Sequence, residues 1–86
     1  MRELIHKHST AVRGDDGRLY EAFIFGQERE DGTWMGWLEF IPVGEGRGQA
    51  LRTTSETSQP DREALEYWAG GLEPAYLDGA LTRAWP

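Results

Sequence analysis

The sequence predicts an α+β domain: an antiparallel meander of three to four strands, followed by a C-terminal helical segment packed on one sheet face. Three observations predict it. Two runs of aromatic and branched residues flank Asp31-Gly32, a strong turn signal. From Pro60 onward the apolar residues recur at helical spacing. The 86 residues can build one core and not two.

The elements follow in chain order. Met1–His8 opens basic, without the apolar stretch of a signal peptide, and whether it is ordered or a flexible arm is left open. Asp16-Gly17 marks a turn, so Ser9–Arg13 is expected to pair with the run starting at Leu19. The strongest strands are Leu19–Phe25 and Thr33–Ile41, with Pro42 closing the second. Gly44, Gly46 and Gly48 mark a loop, and Gln49–Thr54 reads as another strand. Ser58 is a candidate helix cap before Pro60, with Asp61 and Glu63 suited to a helix N-terminus. Leu65, Trp68, Ala69 and Leu72 form one apolar stripe; Tyr76, Leu77, Ala80, Leu81 and Ala84 form another. Gly70-Gly71 and Pro74 lie between them, so the segment is either two helices or one kinked helix.

Taken as a two-residue type I′ turn, Asp31-Gly32 sets a register. Glu30 faces Thr33, Phe25 faces Leu38, and Phe23 faces Phe40. Those last four side chains share one face and are expected to meet Leu65, Trp68, Leu72 and Leu77. The opposite face then carries Tyr20, Ala22, Ile24, Met35, Trp37 and Ile41, broken by Glu28 and Glu39.

Composition excludes several classes. Without cysteine there is no disulfide scaffold, Cys-ligated zinc finger or thiol enzyme. The apolar runs at Ala22–Phe25 and Phe40–Val43 fall far short of the roughly 18 residues of a membrane span. The net charge of −6 argues against nucleic acid, since phosphate binding needs clustered Lys and Arg. No membrane and no nucleic-acid partner are therefore expected, and the cytoplasm is the default location. Four tryptophans serve a small core and also suit interfaces.

Candidate chemistry is sparse, and the expectation is a non-catalytic protein without cofactor or metal. His6 and His8 could face one metal from a strand, but no third ligand accompanies them. Asp15-Asp16-Gly17 and Glu28–Gly32 are explained by turn chemistry. No nucleophile elbow surrounds Ser9, Ser55 or Ser58. Gly44–Gly48 precedes no helix, so it is not a phosphate loop. The polar stretch 52–59 supplies a candidate ligand site at Arg52, Glu56 and Gln59, opposed by the plainer reading of a capped strand-to-helix connection.

The sharpest expectation concerns the second sheet face. One helical layer covers one face, so Tyr20, Ile24, Met35, Trp37 and Ile41 should form an exposed interface for a protein partner or a second copy of the chain. If Ile24 and Trp37 prove buried inside a single chain, this interface expectation fails.

Asp31–Phe40, Arg52-Thr53, Glu56–Pro60, Ala64–Ala69 and Gly71–Pro74 together resemble a group of small bacterial proteins of unassigned function, over roughly residues 19–84. That likeness implies no activity. Strands followed by an acidic helix are also similar to HicB-type antitoxin domains, which implies toxin binding and dimerisation. The sequence departs from that pattern in lacking a Pro-Asp-Leu-Pro-Gly-like segment after the Trp37 strand and a DNA-binding domain.

Overall fold

The computed structural model describes residues 1–44 and 48–86. The loop reading of Gly44–Gly48 therefore lies, for residues 45–47, outside the described residues. Among the described residues six strands precede two helices: β1 Glu3–Lys7, β2 Val12–Arg13, β3 Leu19–Glu28, β4 Trp34–Pro42, β5 Leu51–Arg52, β6 Thr57–Gln59, α1 Arg62–Gly70 and α2 Pro74–Arg83.

Every strand pairing is antiparallel. β1 and β2 both lie along the same edge of β3, and β5 and β6 both lie along the far edge of β4. The sheet is thus a meander of four rows whose outer rows are interrupted. One break, between β5 and β6, is bridged by buried Thr53. Its amide donates to the Leu38 carbonyl (2.9 Å), while its hydroxyl accepts from the Leu38 amide (3.1 Å). Trp85 adds a short outer bridge to Arg52.

Several elements differ from expectation. Residues 3–7 form a strand, with a register irregularity between Leu4 and His6. The strand expected over Ser9–Arg13 shortens to β2, and that over Gln49–Thr54 shortens to β5. Ser58 lies in β6 and does not cap a helix. Asp61 caps α1 instead, its carboxylate accepting from the Ala64 amide at 2.8 Å. The C-terminal segment is two helices. Gly71 closes α1, its amide donating to the Trp68 and Ala69 carbonyls, and Pro74 stands at the start of α2 where its missing N–H is harmless.

The register correction matters most. The loop at Asp31-Gly32 holds three residues rather than two. The Arg29 amide donates to the Thr33 carbonyl (2.7 Å), and the Gly32 amide donates to the Arg29 carbonyl (2.9 Å). Only Gly32 has positive φ (+89°), whereas a type I′ turn needs it at both central residues. Asp31 Oδ1 locks the arrangement by accepting from the Thr33 amide at 2.9 Å. The β2–β3 loop repeats the device. Gly17 takes positive φ (+80°) and Asp16 Oδ1 accepts from the Arg18 amide at 2.9 Å.

The extra loop residue shifts the pairing by one and turns β3 over. Ile24 faces Leu38 and Ala22 faces Phe40, while Phe23 faces Glu39 and Phe25 faces Trp37. The core therefore contains Tyr20, Ala22, Ile24, Leu38 and Phe40, packed under Ala69, Leu77, Ala80 and Leu81. Phe23 and Phe25 point away from it. The shift also aligns Gly26 with Gly36. A Cβ built on Gly26 would lie 2.5 Å from Leu65 Cδ2, and one on Gly36 would lie 2.7 Å from Leu65 Cδ1. Fully buried Leu65 is seated over this paired-glycine hollow, which brings α1 down onto the sheet.

Candidate functional site

The helices cover one sheet face. The other is built from cross-strand rows, because residues paired across antiparallel strands project to the same side. One row runs Lys7–Phe23–Glu39–Arg52–Trp85 across four strands and the C-terminal bridge. Beside it runs Leu4–Phe25–Trp37. Glu21 faces Ile41, and Gln27 faces Met35.

Of the five expected interface residues, Met35, Trp37 and Ile41 lie on this face. Tyr20 and Ile24 do not. They are 5% and 0% exposed in the core, because the three-residue loop reversed β3. Phe23 and Phe25 occupy the face in their place, and Tyr20 donates its hydroxyl proton to Asp16 Oδ2 at 2.9 Å. Trp37 is on the face yet only 3% exposed. Ile24 and Trp37 are thus both buried within the chain, so the interface expected from the sequence fails, and a different set of residues lines this face.

Cationic side chains lie over the aromatic rings of this face. The Arg2 guanidinium is 4.2 Å from the Phe25 ring centroid, Arg52 is 5.1 Å from Trp37, and the Lys7 ammonium is 5.6 Å from Phe23. The Phe25 and Trp37 rings are stacked with centroids 6.5 Å apart. Each cation meets the negative face of a ring, an attraction worth about 0.5–1 kcal/mol exposed and ~2 kcal/mol when water is removed.

Glu39 is the hub. Its Oε2 accepts from Arg2 Nη1 at 2.5 Å and from the Trp37 indole N–H at 3.0 Å. Burial alone would push its pKa up. The hydrogen bonds from Arg2 and Trp37, with the charges of Arg2 and Arg52, outweigh burial and hold it below the ordinary carboxylate value. Lys7 is separately paired with Glu21 at 3.0 Å. Leu4 and Trp85, 50% and 52% exposed, mark two edges of the face.

The candidate polar site does not assemble. Arg52 lies over Trp37 on the open face. Glu56 accepts from the Tyr76 hydroxyl and from Arg83 Nη2, both at 2.5 Å. Gln59 donates to Thr57 Oγ1 at 2.7 Å. The strand break at residues 53–56 sends these three side chains to different partners.

His6 and His8 do meet, with ring centroids 4.7 Å apart, edge to face. His8 Nε2 lies 3.1 Å from the Ala69 carbonyl at the end of α1. Among the described residues no three potential metal ligands gather. No helix among them is long and apolar enough to cross a membrane.

Glu39 was expected on the open face, whereas sequence reasoning missed Arg2, Lys7, Phe23, Phe25 and Trp85 as members of it. The Asp-Gly pairs marked where the two loops lie but suit two- and three-residue loops alike, so they left the register open. The bridge that brings in Trp85 left no local signal. No family model, no curated protein and no solved structure matches this chain.

Proposed function

We propose that this chain is a non-catalytic protein-interaction module whose working surface is the helix-free sheet face, bound by a protein partner or by a second copy. The observation that carries the reading is the pair of rows Lys7–Phe23–Glu39–Arg52–Trp85 and Leu4–Phe25–Trp37 on a face without a helical layer. Tryptophan, phenylalanine, methionine and arginine are the residue types enriched in interface cores. Fixed ring-and-cation pairs also reduce the ordering cost of binding, because the face is already arranged. A partner that excludes water over Arg2, Arg52 and their rings strengthens those contacts, provided it satisfies the outer guanidinium donors.

The test uses Leu4→Glu/Trp85→Glu, which alters two half-exposed positions and spares the core. Sedimentation velocity reads self-association, and affinity capture from source-cell lysate reads a heterologous partner. The expected result is a dimer, or a retained protein, with the unmodified chain and neither with the variant, at unchanged thermal stability. A monomeric unmodified chain whose retained proteins match those of the folded variant overturns the reading.

A further inference from the structure

A second surface, remote in character from the sheet face, lies on α1. Tyr67 projects from the middle of the helix with 87% of its surface exposed, far more than an aromatic side chain needs for folding. It borders an open groove of about 1110 Å³ lined by half-buried Trp68 and Leu72 and by Glu63. Trp68 is braced edge-on by Tyr76, with centroids 5.9 Å apart. A Cβ built on Gly70 meets nothing within 4 Å, so the groove is open at that end.

Its electrostatics have one sign. Residues 56–86 carry six acids against Arg62 and Arg83. Both arginines are engaged, Arg62 with Glu66 and Glu3, and Arg83 with Glu56. Glu63 has no ion pair among the described residues. The last turn of α1 contains no basic residue, so the negative end of its helix dipole lacks a cation of its own. Exposed Tyr67 offers a ring face to a cation, and Trp68 and Leu72 offer an apolar seat.

The geometry points to a docking groove for a basic segment of a partner protein, one that places an arginine or lysine over Tyr67 beside Glu63 and an aliphatic side chain against Trp68 and Leu72. The site takes a cationic, partly apolar peptide and rejects an acidic one. It does not depend on the sheet face.

The experiment titrates the full chain with a blocked hexapeptide alternating arginine and leucine, and with its glutamate-leucine counterpart, by backbone amide NMR. The basic peptide is expected to move the amides of residues 61–72 and to weaken as salt rises, while the acidic one moves none. Tyr67→Ala should weaken binding by roughly 3- to 30-fold, and Glu63→Lys should weaken it at least as far. Both positions are exposed, so both variants should fold. Leu4→Glu/Trp85→Glu should bind the peptide unchanged, which separates this site from the sheet-face reading. Shifts spread over Asp15, Asp16 and Asp78 as strongly as over α1 would overturn the proposal, as would full affinity in Tyr67→Ala.

Discussion

Leu65 illustrates how single atoms join the layers. Its two methyl groups sit where side chains at Gly26 and Gly36 would stand. Being wholly buried, it has nowhere to move if either glycine gains a methyl. Gly36→Ala is therefore expected to destabilise by about 1–3 kcal/mol through overpacking. Leu65→Ala should cost about 2–5 kcal/mol by opening a cavity. The double variant should cost clearly less than the sum, because the added methyl partly fills the vacated space. Urea denaturation of the four proteins measures the coupling. Strict additivity would show that Leu65 does not occupy the glycine hollow.

At the scale of the element, the β3–β4 hairpin depends on one loop. Gly32 at φ +89° and the Asp31 carboxylate together hold the three-residue turn. Thr33 binds Asp31 through its hydroxyl (2.6 Å) and its amide, and these bonds lower the Asp31 pKa. A Cβ at residue 32 meets no atom within 4 Å, so any penalty at that site is one of backbone conformation. Gly32→Ala should cost about 1–2 kcal/mol, the left-handed penalty of a residue with a side chain. Gly32→Asn should cost less, since asparagine tolerates that region. Denaturation midpoints check the order. Equal loss in both variants would count against the conformational cause. The turn is a small element with a large effect, because its length decides which side of β3 meets the helices.

Across the whole molecule, the titrations of two half-buried groups bound the stable pH range. Burial, aided by the charge of His6, lowers the His8 pKa against the opposing effect of the Ala69 carbonyl. The unfolded value is 6.5, so the stability from this group is present above 6.5 and is lost as pH falls through the lower folded value. Burial, and then the hydrogen bond to Glu56 and its charge, push Tyr76 from 10.0 up to about 12. Its contribution is present below pH 10.0 and is lost as pH rises through about 12. Asp16, Asp31 and Glu39, whose pKa values are lowered, add a separate loss below about pH 4. Urea midpoints against pH should form a plateau between the two limits. His8→Gln should flatten the loss just below neutrality, and Tyr76→Phe should flatten its share of the alkaline limb. An unchanged alkaline limb in Tyr76→Phe would remove that assignment.

The sequence by itself determined the α+β class, the placing of strands before helices and the positions of the two Asp-Gly turns. Those features depend on local properties: side-chain period and positive φ at glycine. The strands at Glu3–Lys7 and Thr57–Gln59 and the division into two helices came from the structure. Tertiary structure alone decided which face of β3 is the core. Tyr20, Ala22 and Ile24 alternate with Glu21, Phe23 and Phe25, so both faces are apolar enough to be buried, and hydrophobic pattern cannot choose between them. The loop length, the alignment of Gly26 with Gly36 under Leu65, and the seating of Glu39 between Arg2 and Trp37 make the choice together. Arg2, Trp37 and Trp85 meet on one surface only because chain segments distant in sequence pair in the sheet. Such contacts are set by long-range registration, which no window of local residues contains.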